Sequence, residues 1–233
     1  MRHKGSDAMQ EATTKGIYDF HSMFYDATFG RLVKRRIARA ISHMDVQQTD
    51  LVLDLGIGTG VSLNYYPRRG RIFGIDLSNG MLREAQRKIR ERGLNHVQLI
   101  QADALHMPFP DDTFDQVFIS HVISVVSDPA QLVREAQRVA KPGARLVILN
   151  HFQSTNRLVA MVEKWICPFC SRLGWRSDLP LQALVRETGL QVDYRYKLEN
   201  IDLWETVVIT NNKSALRRPV FRQVAPQREL ALA

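Results

Sequence analysis

Apolar runs alternate with amphipathic stretches through most of this chain. Near-continuous runs such as Leu51 to Leu55 and Leu146 to Leu149 are typical of strands covered on both faces, because neither face then needs polar residues. Apolar positions at helical spacing predict helices over Met81 to Arg92 and Pro129 to Ala140. Strands that alternate with helices pair in parallel through right-handed crossovers. The pattern therefore predicts an α/β fold of the Rossmann-like kind, with helices on both faces of a mostly parallel sheet.

The same pattern predicts the remaining strands and helices and the limits of the domain. Together with Leu51 to Leu55, the predicted strands number seven, and they are completed by Arg71 to Ser78, Val97 to Gln101, Asp115 to Ser120, Lys141 to Asn150, Leu190 to Lys197 and Leu203 to Thr210. Further helices are expected over Thr155 to Ile166 and Leu181 to Glu187. We expect an N-terminal helical segment at 1–44, one α/β domain at 45–210 and a polar, basic tail at 211–233 that is poorly ordered.

The segment Leu51 to Gly60, LVLDLGIGTG, predicts a strand that runs into a glycine loop opening a helix. Gly56, Gly58 and Gly60 remove every side chain from the turn, so the backbone can approach a ligand closely. The third glycine comes one residue too early for a dinucleotide fingerprint, and Asp54 precedes the loop. A carboxylate suits an ammonium better than a pyrophosphate, so the loop favours a nucleoside that carries an amino acid, namely S-adenosylmethionine.

Five segments in this order, the glycine loop among them, resemble the class I S-adenosylmethionine-dependent methyltransferases over roughly residues 45 to 210. Besides the glycine loop, they are RIFGIDLS with Asp76, QADALHMPFP with Asp103, and the strands DQVFIS and KPGARLVILN. The resemblance implies that Asp76 binds the ribose hydroxyls and Asp103 faces the adenine amino group. A helix-capping role for Asp76 and a turn role for Asp103 are the structural alternatives. The implied cofactor residues are Tyr25, Asp54, Gly56, Gly58, Gly60, Asp76, Leu77, Met81, Asp103, Ala104, Leu105 and Ser120.

Charge gives a second indication. Lys and Arg outnumber Asp and Glu by 32 to 24, which gives a formal net charge of +8 and a pI of about 9.8. Part of the excess lies in Gly16 to His43, where apolar positions alternate with cations. Such a helix either lies in an anionic membrane surface or packs on the core. Packing is favoured for Leu32 to Ile41, whereas both interpretations stay open for Ile17 to Phe29.

Several function classes are disfavoured. The sequence has no zinc finger or target-reading module, and ISHVISVVSDP (Ile119 to Pro129) replaces the N/D-P-P-Y segment of amino methyltransferases that act on bases, so a nucleic-acid substrate is not expected. Cys167 and Cys170 give zinc only half its usual ligands, so we expect no metal and interpret them as structural thiols, with a labile disulfide as the alternative. No apolar stretch is long enough to span a bilayer, and no secretion signal is evident.

A narrower resemblance rests on YDFHSMFYDATFG (Tyr18 to Gly30), SHVISVVSDP (Ser120 to Pro129), NHF (Asn150 to Phe152) and SRLGWRSDLP (Ser171 to Pro180). Together these motifs resemble bacterial phospholipid N-methyltransferases of the Rhodobacter type. The family converts phosphatidylethanolamine through mono- and dimethylated lipids to phosphatidylcholine. The resemblance implies a cytoplasmic enzyme held peripherally at the inner face of an anionic membrane. Tyr-Asp pairs near the N-terminus also occur in quinone-methylating relatives, so a quinone-like or small substrate is the alternative.

The resemblance also implies a substrate site. Tyr18 and Tyr25 would close over cofactor and headgroup, while His121 and His151 follow strands four and five at the substrate end of the sheet. Structural histidines are the alternative for that pair. Arg176 is expected to bind the lipid phosphate, because a guanidinium forks onto phosphate, and Trp175 beside it is a candidate for the aromatic wall of the headgroup site. Tyr18, His121 and His151 are thus the catalytic candidates. A noncatalytic membrane-binding protein is a third hypothesis, disfavoured by the intact set of cofactor residues.

Overall fold

The computed structural model describes residues 33–152, 179–198 and 204–213. The strands are β1 (Leu51–Leu55), β2 (Arg71–Asp76), β3 (Val97–Gln101), β4 (Phe114–Ser120), β5 (Ala140–His151), β6 (Val192–Tyr196) and β7 (Trp204–Thr210). The helices are α1 (residues 33–42), α2 (Asn79–Arg92), α3 (Pro129–Val139) and α4 (Leu181–Thr188), with a short 3-10 turn at Ser62–Asn64. The predicted helix Thr155 to Ile166 and both cysteines lie outside the described residues.

The described strands form one sheet in the order β3-β2-β1-β4-β5-β7-β6. The pairs that join β3, β2, β1, β4 and β5 are parallel, whereas β7 runs antiparallel to both of its neighbours. Helix α2 joins β2 to β3 and helix α3 joins β4 to β5, so these two crossovers between parallel strands are helical. This arrangement confirms the mostly parallel α/β sheet expected from the alternating pattern.

Apolar layers cover both faces of the sheet. One layer is built from α3 and α4 and contains Phe114, Leu132 and Leu184, while the other is built from α1 and α2 and contains Phe118. Helix α1 contributes its buried apolar positions Val33, Ile37, Ala40 and Ile41 to that second layer. Its packing on the core confirms the interpretation favoured for this stretch, and it places the helix's cations around a fixed apolar stripe.

Two boundaries differ from the prediction, and each difference has a local cause. The strand expected to reach Ser78 stops at Asp76, because the Ser78 side chain accepts a hydrogen bond from the backbone N–H of Met81 and caps α2. The basic tail cannot begin at Asn211. That residue is buried, and its side-chain amide donates to the backbone carbonyls of Gln137, Ala140 and Lys141. The chain past β7 is therefore still part of the fold at this point.

The sheet topology collects functional candidates along one edge. Strands β1, β2, β4 and β5 end at Leu55, Asp76, Ser120 and His151, and parallel strands place their carboxyl ends at the same edge. Because β7 is antiparallel, it begins at this edge, with Trp204 paired opposite His151. Ligands of open α/β sheets bind outside this carboxyl edge.

The first prediction concerns Gly56, which has a φ of +72° and lies against Val122. A Cβ on Gly56 would lie 1.9 Å from the Cγ2 atom of Val122. We expect Gly56→Ala to lower the free energy of unfolding by about 1–2 kcal/mol for the left-handed backbone and by about 1–3 kcal/mol more for the clash. Urea unfolding followed by circular dichroism measures both terms together.

Gly93→Ala is the matched control. Gly93 has a φ of +61° at the end of α2, and nothing lies within 4 Å of its hypothetical Cβ. Only the backbone cost of about 1–2 kcal/mol is expected there. Equal losses in the two variants would contradict the proposed close approach of Gly56 to Val122.

Candidate active site

The glycine loop is held against the end of β2 by backbone hydrogen bonds. The N–H groups of Gly56 and Ile57 both donate to the carbonyl oxygen of Ile75, at 2.8 and 2.9 Å. Gly58 has a φ of +56°, and a Cβ built on it would meet nothing nearer than the Gly56 carbonyl oxygen at 4.0 Å. Bare backbone at Gly58 therefore faces open space at the carboxyl edge, as a close-fitting ligand loop requires.

Asp76 connects this loop to the start of α2. One carboxylate oxygen accepts from the N–H of Gly58 at 2.9 Å, and the other accepts from the N–H of Ser78 at 2.8 Å. A carboxylate accepts hydrogen bonds from hydroxyl groups as well as from backbone N–H groups. Leu77 next to it is 52% exposed, which is unusual for a large apolar side chain beside a charged group. The pair suits a ligand with a hydroxylated ring and an apolar ring.

The segment after β3 lies beside Asp76, because the N–H of Ala102 donates to the Asp76 carbonyl oxygen at 3.1 Å. Asp103 is exposed and accepts from the N–H of Leu105 at 2.8 Å, while Ala104 and Leu105 pack against the apolar layer. The turn role that is the structural alternative for Asp103 is therefore present in the structure. One of its oxygens is also 3.6 Å from the Nδ1 atom of His106. The exposed carboxylate remains a candidate for adenine recognition.

Asp54 lies beneath the loop and is almost fully buried. Its Oδ2 atom accepts from the hydroxyl of Ser62 at 2.5 Å and from that of Tyr66 at 3.1 Å. Within the described part of the chain its Oδ1 atom is buried without a hydrogen-bond partner. Burial raises the pKa of this carboxyl to about 7, although the two hydroxyl bonds act to lower it. A buried oxygen without a partner is costly, and a cationic donor would relieve that cost.

The remaining cofactor candidates lie around the same edge. Met81 is buried in the first turn of α2, and Ser120 ends β4 with its hydroxyl oxygen buried and unpartnered among the described residues. These residues fit S-adenosylmethionine. Buried Asp54 would face the amino-acid end, Asp76 the ribose and exposed Leu77 the adenine. The described residues contain no group of three or more side chains that could hold a metal ion.

The two histidines meet at a residue that the sequence did not single out. The ring of Trp204 lies 6.4 Å from that of His121 and 6.2 Å from that of His151, edge to face in both cases. His151 is almost fully buried. His121 has a φ of +60°, and its Nε2 atom is buried without a partner among the described residues. Burial, with a smaller effect from the Arg36 charge, lowers the pKa of His121 to about 4.

Four of the predicted site residues lie in parts of the chain that the structure does not describe. Tyr18, Tyr25, Trp175 and Arg176 lie outside the described residues, so their proposed roles stay predictions. Ser62, Tyr66, Arg36 and Trp204 are the side chains that the sequence analysis missed. Ser62 and Tyr66, the hydroxyl partners of Asp54, are only weakly indicated by the sequence, through their position shortly after the glycine loop. Nothing in the sequence indicates that Arg36 and Trp204 lie near the histidines, because only the folded sheet brings residues so distant in sequence together.

Comparison with known proteins agrees with this geometry. The family model described as a methyltransferase domain matches residues 53–148. A phosphatidylethanolamine N-methyltransferase of Cereibacter sphaeroides is 38% identical over 72% of this chain and 83% of its own length. A demethylmenaquinone methyltransferase of Anoxybacillus flavithermus is 34% identical over 60% of this chain and 64% of its own.

A solved structure supports the same fold. The SAM-dependent methyltransferase from Aquifex aeolicus matches 75% of this chain and 88% of its own with a TM-score of 0.57 and 20% identity. The chain belongs to the class I S-adenosylmethionine-dependent methyltransferases.

The second prediction uses the titration of Asp54. A cation bound beside the carboxyl lowers its pKa, so binding of S-adenosylhomocysteine should release a proton at pH values below about 7. We expect the affinity to rise with pH by up to about tenfold per unit below that pKa, and to level off above it. Calorimetry at several pH values, in buffers of different ionisation enthalpy, measures both affinity and proton release.

Asp54→Asn is the control for this pH dependence. The amide cannot titrate, so the rise in affinity below pH 7 and the proton release should both disappear. An unchanged pH dependence in the variant would assign the titration to another group and contradict a direct role for Asp54 beside the ammonium.

Proposed function

We propose that the protein is a phosphatidylethanolamine N-methyltransferase that converts this lipid, through its mono- and dimethyl derivatives, toward phosphatidylcholine. The observation that carries the proposal is the 38% identity to the Cereibacter sphaeroides enzyme of that name, over 83% of its length. The sequence motifs at Tyr18 to Gly30 and Ser171 to Pro180 support it, because they resemble the same family outside the cofactor-binding segments.

The chemistry at the carboxyl edge is compatible with an amine substrate. When bound, S-adenosylmethionine supplies an electrophilic methyl group on a sulfonium sulfur. A substrate nitrogen needs a free lone pair to receive it, so its ammonium proton must leave and the amine must be oriented. His121 is neutral at physiological pH because of its low pKa, and in the tautomer that carries its proton on Nδ1 the unpartnered Nε2 atom is a hydrogen-bond acceptor for an N–H donor. His121 is thus suited to orienting the amine rather than to storing its proton.

Helix α1 supports a membrane-facing role. Lys34 and Arg35 are exposed on it, while its apolar positions are buried against the sheet. Exposed cations on a docked helix attract anionic lipid headgroups without the helix leaving the fold. In the described residues no helix is both long and apolar enough to cross a bilayer. We propose peripheral contact with the inner face of the membrane through this basic surface and the segment before it.

A second candidate is methylation of a quinone-like substrate. The specific observation in its favour is the 34% identity to the demethylmenaquinone methyltransferase of Anoxybacillus flavithermus, of which this chain covers 64%. Such an acceptor reacts at a ring carbon and offers no ammonium to orient. The two candidates therefore differ in which acceptor becomes labelled.

The third prediction tests the acceptor directly. The full chain is incubated with methyl-labelled S-adenosylmethionine and vesicles of phosphatidylethanolamine and phosphatidylglycerol, and the extracted lipids are separated by chromatography. We expect label in the methylated ethanolamine lipids. Parallel reactions contain free phosphoethanolamine or a demethylmenaquinone in place of the lipid amine. Labelling of the quinone alone would overturn the lipid assignment and support the second candidate.

The fourth prediction concerns vesicle binding. We expect the double variant Lys34→Gln/Arg35→Gln to bind vesicles rich in phosphatidylglycerol about thirtyfold more weakly, since each cation near an anionic surface contributes about 1 kcal/mol. Vesicle co-sedimentation at low and high salt measures the effect, which should shrink as salt is added. Arg83→Gln/Arg90→Gln, which removes two exposed cations from α2, is the matched control. Equal weakening in both double variants would indicate net charge rather than the α1 surface.

A further inference from the structure

Three separate elements meet at the indole of Trp204. His121 follows β4, His151 ends β5, and Arg36 comes from α1, with its guanidinium carbon 4.8 Å from the centre of a Trp204 ring. The indole thus has two imidazoles against its sides and a cation over its face. An aromatic face attracts a cation, and edge-to-face contacts fix ring orientation. Trp204 therefore constrains the orientation of both imidazoles.

The backbone at His121 shows that its placement is imposed by its surroundings. A left-handed conformation is uncommon for residues other than glycine and costs about 1–3 kcal/mol. The His121 N–H donates to the carbonyl oxygen of Leu149 at 2.9 Å, which holds this conformation against β5. Strained residues persist where neighbouring structure fixes them, and they cluster at functional sites. His121 directly follows β4 at the carboxyl edge, and its Nε2 atom is buried without a partner among the described residues.

Arg36 connects this arrangement to the surface helix. The guanidinium stacks on Trp204, and Arg39 one turn further along stacks on Tyr196 at 5.1 Å. The Nδ1 atom of His43 is 3.1 Å from the hydroxyl of Tyr194, and Arg145 donates to the His43 carbonyl oxygen at 2.9 Å. Successive turns of α1 are therefore held against β6, β7 and β5. The position of Arg36 over Trp204 follows from this docking.

We propose that Trp204 and Arg36 are positioning residues of the substrate site, which hold the imidazole of His121 as a hydrogen-bond acceptor for the substrate's N–H group. The inference rests on the proposed function, since it assigns His121 to the amine of the substrate. The ionisable groups that meet at the indole are Arg36 on α1 and His151 on β5. Of these, the charge of Arg36 is the one that lowers the pKa of His121. Arg36 therefore favours the acceptor form of the ring, and Trp204 fixes its direction.

The fifth prediction separates positioning from folding. Trp204→Leu removes the aromatic face and should lower kcat/KM for the lipid about 10–100-fold, because small displacements of an orienting group have effects of this size. Trp204→Phe keeps a ring and should recover most of the activity. Affinity for S-adenosylhomocysteine should change less than about twofold in both variants. Equal activity of the Leu and Phe variants would overturn the proposed role of the aromatic ring.

A titration gives a readout that does not depend on the substrate. In Arg36→Gln, nuclear magnetic resonance of the histidine side chains should show the His121 pKa moving upward from about 4, because a neighbouring positive charge is lost. Arg35→Gln removes an exposed charge from the same helix and should leave that pKa in place. A His121 pKa that stays unchanged in Arg36→Gln would overturn the role of Arg36.

The two experiments also distinguish this inference from the proposed function. If the wild-type protein labels only a quinone, the lipid assignment fails, and so does the role of His121 toward an amine. If the wild-type protein labels the lipid but the Trp204 and Arg36 variants match it in activity and titration, the lipid assignment stands and the positioning inference alone fails.

Discussion

The attachment of the glycine loop to the end of β2 is the constraint on which the site depends. Two backbone N–H groups share the Ile75 carbonyl oxygen, and a third donates to the carboxylate of Asp76. These bonds leave the loop little freedom, and the positive φ angles they require exclude most side chains at its glycines. The same bonds hold the loop that follows β1 against the carboxyl end of β2. The shape of this loop is therefore fixed by its backbone together with the carboxylate of Asp76.

Burial shifts the pKa values of two groups at this edge in opposite directions. Burial raises the pKa of Asp54 and lowers that of His121, so both groups are held toward their neutral forms. A bound cation would favour the ionised form of Asp54. An N–H donor, by contrast, can bond only to the neutral ring of His121. The edge therefore combines a buried acid whose pKa is raised to about 7 with a buried imidazole that is neutral at physiological pH.

Much of the fold could be predicted from the sequence, because parallel strands buried on both faces leave long apolar runs and helices leave amphipathic ones. β3 was predicted with the bounds that the structure has, and α2 and α3 were predicted to within two residues at each end. Ends were harder, as the early stop of β2 at Asp76 shows, since Ser78 serves as a cap rather than as a strand residue. Asn211 was misjudged because a polar residue followed by cations resembles a tail, and only the folded structure reveals the three carbonyls that it satisfies.

The site was predictable where its chemistry is local and unpredictable where it depends on topology. Asp76 lies 18 residues from its partner Gly58, yet both stand in motifs with a recognisable order. Trp204 carries no such motif. It reaches His121 and His151 only because β7 inserts antiparallel beside β5, which no periodicity in the sequence specifies.

Helix α1 contacts the two antiparallel strands through two of its cations. Half-buried Arg36 stacks on Trp204 of β7 and exposed Arg39 stacks on Tyr196 of β6, while Lys34 and Arg35 are exposed. A helix whose cations are divided in this way connects the outer surface to the histidines of the carboxyl edge through a single indole. Arg36 of α1 thus contacts the same ring that both histidines contact. The cations of α1 therefore lie both at the exposed surface and beside the indole that contacts the two histidines.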